Sequence, residues 1–169
     1  MTHDPSLQQA ALWADPAGYD ALVPALAALL AAERDPVANL ANAAAAIFHG
    51  LPALNWAGFY LRRGETLVLG PFQGWPACVR IPLGRGVCGT AAAEARSILV
   101  PDVHDFPGHI ACDARSRSEL VVPLLAAGLV VGVLDLDSPL PNRFDAADLA
   151  GCARLAALIA PAAASLAGG

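Results

Sequence analysis

The stretch ELVVPLLAAGLVVGVLDLD, Glu119 to Asp137, decides the fold. Its two runs, Glu119–Ala126 and Leu129–Asp137, are short and rich in Val and Leu. They meet at Ala127-Gly128, so they read as a β-hairpin. In the second run a period of two places Val131, Val133, Asp135 and Asp137 on one face, with Gly132, Leu134 and Leu136 on the other. Upstream, Trp56–Arg62 and Thr66–Phe72 form a second hairpin around Arg63-Gly64-Glu65, and Ile98–Pro101 is a brief strand. Helices surround these strands. Residues 5–50 read as helical, with Asp15-Pro16 and Asp35-Pro36 as N-cap-plus-Pro starts. Apolar stripes run through Leu22, Ala25, Leu26, Leu29 and Leu30, and through Val37, Leu40, Ala44 and Ile47. A short helix spans Gly86–Arg96, and a terminal one opens at Asp145 and runs to about Ala160. Gln73 to about Leu83 and Asp102–Arg117 read as irregular. The expected class is α+β, an antiparallel sheet with the N- and C-terminal helices packed on one face. One domain is expected over residues 15–165, after a segment at 1–14.

The chain has 169 residues, 56% hydrophobic and 15% charged, which excludes a disordered or collagen-like chain. Its ten basic residues are all Arg, and its net charge of −5 argues against nucleic acid or an anionic membrane as partner. The Ala-rich stretches are interrupted at Glu33–Pro36 and at Pro161, so no membrane span is expected. Met1 to Gln9 lacks the basic start of a signal peptide. A cytoplasmic, reducing compartment is expected, where cysteines serve as free, catalytic or metal-bound thiols.

Cys152 falls on the apolar stripe of the terminal helix with Leu149, Leu155, Ala156 and Ile159, and reads as a small buried hydrophobe. The other three cysteines lie elsewhere. Cys78 is in a Gly/Pro-rich loop. Cys88 is in the opening turn of the short helix, where amides and the helix dipole lower a thiol pKa. Cys112 is in a loop with cationic neighbours. Three such thiols in one small domain point to redox chemistry or metal binding. A zinc site from Cys78, Cys88 and Cys112 with His104 or His109 would lack the close-spaced cysteine pair usual in structural zinc sites, and no metal is expected. Gly84-Arg85-Gly86-Val87-Cys88-Gly89 matches a dinucleotide fingerprint, with Asp102 further on. The flanking hairpins do not supply the parallel βα units that motif needs.

Asp135 and Asp137 continue an apolar face at its end, and Glu119 opens the neighbouring strand. These acids either cap a solvated sheet edge or form an acidic pocket that binds an ammonium group and supplies a proton. Trp56 and Tyr60, four residues apart on a strand, share a face and could line an apolar wall for a methyl-bearing ligand. Phe59 reads as core.

Taken together, Gly70-Pro71-Phe72-Gln73-Gly74, Pro76-Ala77-Cys78, Gly86-Val87-Cys88-Gly89-Thr90-Ala91, His109-Ile110-Ala111-Cys112-Asp113, Ser118-Glu119 and Leu134-Asp135-Leu136-Asp137-Ser138 resemble the free methionine-(R)-sulfoxide reductases. These are small enzymes built on a GAF domain, and the resemblance runs from about residue 15 to 160. It implies a GAF-like sheet with Cys112 as nucleophile and Cys78 as resolving thiol. Cys88 matches the family's third cysteine and could instead be the disulfide partner. The resemblance further implies Glu119, Asp135 and Asp137 as acidic substrate-binding residues and Trp56 and Tyr60 as the aromatic pocket. Trp75 stands where the family has a basic residue. The implied reaction reduces free methionine sulfoxide through a sulfenic acid and a disulfide, with thioredoxin or another dithiol as external reductant and no bound cofactor. A homodimer is a family expectation. The alternative from another class is a GAF-type module that senses redox state or a small ligand without turnover.

Overall fold

The computed structural model describes residues 18–108 and 114–167. Two helices, α1 (Tyr19–Ala32) and α2 (Pro36–Gly50), precede the hairpin β1 (Trp56–Arg63) and β2 (Thr66–Gly74). Then come β3 (Arg80–Pro82), α3 (Gly86–Glu94), β4 (Ile98–Val100), a 3-10 turn at Val103–Asp105, β5 (Ser118–Ala126), β6 (Leu129–Ser138) and α4 (Ala146–Ala167). The strands form one sheet in the order β3-β2-β1-β6-β5-β4, with every neighbouring pair antiparallel. The Asp15-Pro16 start and the 1–14 segment lie outside the described residues.

The sheet's two faces carry two apolar layers. Ala57, Phe59 and Leu61 of β1, Leu120, Val122 and Leu124 of β5, and Leu134 and Leu136 of β6 face α1, α2 and α4. The opposite face holds Trp56, Tyr60, Val121 and Val133 under α3. The N- and C-terminal helices therefore share one face, as the alternation in β6 requires. Local signals hold where they were strongest. Asp35 caps α2 by accepting from the amides of Val37 and Ala38, and Asp145 Oδ1 accepts from those of Ala147 and Asp148 at the start of α4.

Four expectations need correction. Gln73–Leu83 is not wholly irregular. β2 runs on to Gly74, and β3 pairs with its first residues through Thr66↔Pro82 and Val68↔Arg80. So short a strand on the sheet's edge has too few residues to show a period. Val131 packs with the helices and not with Val133, because β6 carries a bulge: Leu124 opposes Gly132 but Leu125 opposes Val130. The extra residue inverts the alternation before it. Val37, in the first turn of α2, is 53% exposed and does not join the buried stripe of Leu40, Ala44 and Ile47. Finally, Pro161 does not end the last helix. It lies on the solvent side, where the carbonyl it leaves unpaired can bond water, while Ile159 and Ala163 on either side of it are buried in the core. The resulting 22-residue helix is long and apolar enough to cross a membrane by length and composition. Here its apolar stripe, Cys152, Leu155, Ala156 and Ile159, is packed against the sheet.

Candidate active site

The site forms on the sheet face away from α1, α2 and α4. Register brings its residues together. Asp137 of β6 lies between Trp56 of β1 and Glu119 of β5, and Asp135 lies between Gly58 and Val121. Three carboxylates on adjacent positions of one face are unfavourable as a structural device. α3 then covers them and lowers Cys88 onto the acids, with Cys88 Sγ 3.9 Å from Glu119 Oε1.

This cluster is dry. Glu119 and Asp135 are each 6% exposed and Cys88 is 4% exposed. Burial, reinforced by the charges of Asp135 and Asp137, pushes the Glu119 carboxyl well above the usual range. Burial pushes Asp135 up to about 7, with hydrogen bonds to Cys88 and Glu119 holding it back. Both groups therefore retain protons at pH values where an ordinary carboxyl has lost them. Asp135 Oδ1 is buried without a hydrogen-bond partner among the described residues. The expectation of a lowered Cys88 pKa is overturned. Burial and the Asp135 and Glu119 carboxylates hold the thiol well above its usual value. The helix start that would acidify an exposed thiol is outweighed by a dry, negative neighbourhood.

Trp56 and Tyr60 do share a face, stacked with ring centroids 5.9 Å apart, and Phe72 of β2 also stacks with Trp56 at 5.3 Å. Both aromatics also tether the β2–β3 loop. Trp56 Nε1 donates to the Trp75 carbonyl at 3.2 Å, and the Tyr60 hydroxyl donates to the Cys78 carbonyl at 3.0 Å. The aromatic wall thus fixes the loop that holds Cys78. Cys78 is half-buried and disulfide-bonded, whereas Cys88 and Cys152 carry free thiols. Cys152 is buried against the Tyr19 hydroxyl at 3.4 Å, and burial pushes its thiol up to about 12, as suits an inert core residue.

Cys112 and His109 lie outside the described residues, but the base of their loop is well defined. The Val103 amide donates to the Arg117 carbonyl, and the Arg117 amide donates to Ser138. The Arg117 guanidinium pairs with Asp102 Oδ2 at 2.6 Å and, together with His104, holds the Asp102 carboxyl below the usual range. Asn55 Nδ2 donates to Ser116 Oγ at 3.0 Å. Asp102 is therefore engaged in closing a loop. Gly84 and Gly89 have local roles as well: the Gly84 amide donates to the Gly89 carbonyl at 2.7 Å, and a Cβ on Gly89 would meet the Pro82 carbonyl at 2.3 Å. The dinucleotide motif is accounted for by packing.

The zinc set is not assembled among the described residues, because Cys78 is in a disulfide and His104 pairs with Asp102 at an exposed position. The donors that do converge are Cys88, Glu119 and Asp135, within 4.8 Å of one another. They could hold a cation only after losing the protons that burial favours.

The sequence reading missed Gly58 and Phe72. A Cβ on Gly58 would lie 2.4 Å from Phe72 Cβ and 2.7 Å from the Trp56 ring. A glycine between two large aromatics at a period of two was the available signal of such close approach. Gly58→Ala is expected to cost about 1–3 kcal/mol of stability by overpacking and to change the near-ultraviolet dichroism of Trp56. An unchanged spectrum would show that the wall accommodates the methyl.

Comparison with known proteins agrees with this fold. The GAF domain family model matches residues 19–163. The free methionine-R-sulfoxide reductase of Escherichia coli is 54% identical over 130 residues, covering 77% of this chain and 79% of that protein. The enzyme of the same name from Saccharomyces cerevisiae is 47% identical over 131 residues, 73% of each chain. The structure of free methionine-R-sulfoxide reductase from Neisseria meningitidis in complex with its substrate superposes with a TM-score of 0.84 at 44% identity, covering 90% of this chain and 93% of that one.

Proposed function

This chain belongs to the free methionine-R-sulfoxide reductases of the GAF-domain family, and from that premise we propose how its residues divide the reaction. The chain reduces free methionine-R-sulfoxide to methionine, and the reaction needs no prosthetic group. Cys112 is the nucleophile. Its thiolate attacks the sulfoxide sulfur while a buried acid delivers a proton to the oxygen. The oxygen passes to Cys112, methionine leaves, and Cys112 is left as a sulfenic acid. The Cys78 thiol then attacks that sulfenic acid, water departs, and a Cys78–Cys112 disulfide results. The bridged state of Cys78 beside the free thiols of Cys88 and Cys152 supports this pairing. Cys88, buried and held protonated, acts instead as a neighbour that shares the acids' hydrogen bonding. An external dithiol such as thioredoxin recycles the disulfide. A reducing compartment, the cytoplasm, belongs to the same reading. The family's homodimer is part of the same proposal.

The observation that carries this reading is the buried cluster of Glu119 and Asp135, with Asp135 Oδ1 lacking a partner among the described residues. The Glu119–Asp135 pair holds the proton for the sulfoxide oxygen. Asp137, half-buried and adding its charge to those that raise Glu119, pairs with the α-ammonium. Trp56 and Tyr60 hold the methyl and methylene groups. An N-acetylated substrate brings no ammonium to the Asp137 carboxylate and sets a bulkier neutral amide there, so the site discriminates against it.

The test follows methionine release from free L-methionine-R-sulfoxide, the S epimer and the N-acetylated R form, with dithiothreitol as reductant. Release from the free R form is expected, with at least about a 100-fold preference in kcat/KM over the N-acetylated form. Folded protein that releases no methionine from any of the three would sink the reductase reading in favour of a ligand-sensing GAF module.

A further inference from the structure

Among the described residues, the loop that carries Cys78 carries two of the few large apolar side chains left in solvent. Trp75 is 66% exposed and Val79 is 62% exposed, three residues before Cys78 and one after it. Both meet the sheet through backbone carbonyls. Trp75 supplies its backbone carbonyl to Trp56, a contact that does not depend on its side chain, and Val79 supplies its carbonyl to the Leu69 amide. Two exposed cationic side chains stand beside them: Arg80, next in sequence, and Arg115, whose guanidinium lies over the Trp75 ring at 4.8 Å. An indole held flat under a cation is a preformed contact surface with little side-chain entropy left to lose on binding. On a chain of net charge −5, a local basic rim around an apolar centre selects its partner by charge.

We propose that Trp75 and Val79, rimmed by Arg80 and Arg115, form the docking surface for the protein dithiol that recycles the enzyme. That partner presents an apolar surface with acidic neighbours around its thiols. The disulfide at Cys78 commits the surface to this occupant, because a bound reductant must place a thiolate on one of the two bridged sulfurs. This rests on the reading of Cys78 as the resolving thiol. The partner's thiolate attacks Cys78 Sγ, the bond between the two enzyme sulfurs breaks, and the other cysteine leaves as a thiolate that takes up a proton. The partner's second thiol then attacks the mixed disulfide, frees Cys78 and closes the partner's own disulfide. Two electrons and two protons reach the enzyme, and the partner is oxidised by the same amount. A small dithiol performs the same exchange without touching Trp75 or Val79.

The experiment uses the oxidised full chain without sulfoxide and measures the rate at which thioredoxin or dithiothreitol liberates its thiols. Wild type is compared with Trp75→Ala/Val79→Ser and with Arg80→Glu. The double variant is expected to lose about tenfold in second-order rate with thioredoxin and less than about twofold with dithiothreitol. Arg80→Glu is expected to slow thioredoxin more at low than at high ionic strength. An unchanged rate with thioredoxin overturns the proposal. So does an equal loss with both reductants, which would mean that the side chains serve the disulfide itself. If wild type releases thiols but never reduces methionine sulfoxide, the reductase reading fails while the docking surface stands. If the oxidised chain has no disulfide for dithiothreitol to reduce, the docking surface and the Cys78–Cys112 pairing both fall, while the reductase reading is decided by methionine release alone.

Discussion

Cys112→Ser is expected to abolish methionine formation with every reductant, a loss of at least about 10³-fold, because a serine hydroxyl at neutral pH is neither ionised nor able to accept the sulfoxide oxygen. The informative part lies in the companion variants. With Cys78→Ser, chemistry is expected to proceed once. Cys112 reaches the sulfenic acid, about one methionine per chain appears in a rapid burst, and turnover with thioredoxin stops for want of a disulfide to reduce. Dithiothreitol, which attacks a sulfenic acid directly, restores turnover. In Cys88→Ser the intramolecular disulfide is expected still to form, since the wild-type Cys88 thiol is buried, protonated and 3.9 Å from Glu119 Oε1, the opposite of what a resolving thiolate needs. Rapid quenching with methionine quantification, thiol counting and mass spectrometry of a sulfenic-acid adduct read all three. Methionine production by Cys112→Ser would remove the nucleophile from the proposal. Disulfide loss in Cys88→Ser, but not in Cys78→Ser, would exchange the roles of those two thiols.

What was legible in the sequence follows from how local each signal is. The alternation around Leu134 and Leu136 was enough to separate the helix-covered face from the face that bears Asp135 and Asp137, because side-chain direction in a strand is set residue by residue. It failed at Val131, where one bulged residue inverts the count and nothing in the local composition marks it. Glu119 and Asp137 could be recognised as rim acids from their strands. That they sit directly opposite one another is a register fact, and so is the fit of Gly58 against Asp135. The Cys88 error has the same origin. The helix start around Gly86 was correctly placed, and an isolated helix start does acidify a thiol. The sign reversed because the tertiary fold sets that turn on two buried carboxylates. Pro161 was misread for a related reason: a proline ends a helix unless packing on both sides of it, here through Ile159 and Ala163, holds the helix together.

Asp135→Asn and Glu119→Gln are expected to make the protein more stable and less active at once. Asp135 titrates near 7 in the fold against an ordinary 3.8, so the folded chain holds a proton that the unfolded chain has released between those values. Stability therefore falls as pH rises from about 4 to about 7, and the full penalty persists above that window. At about 1.4 kcal/mol per unit, the ceiling for Asp135 is about 4 kcal/mol. An amide of the same shape does not ionise. Denaturant melts should show Asp135→Asn gaining stability over wild type at pH 8 and little at pH 3. A gain of equal size at both pH values would trace the effect to packing and not to a buried charge. The catalytic cost is the mirror image. The retained proton is the one offered to the sulfoxide oxygen, so wild-type kcat should fall as pH rises past about 7, with the pair titrating together. In the amide variants kcat should drop about 100-fold or more, and that alkaline fall should flatten. Asp137→Asn, which removes the proposed partner of the ammonium, should act mainly through KM and keep the alkaline fall. The reverse pattern, KM effects at Asp135 and loss of the pH limb at Asp137, would exchange the acid and the anchor within the same pocket.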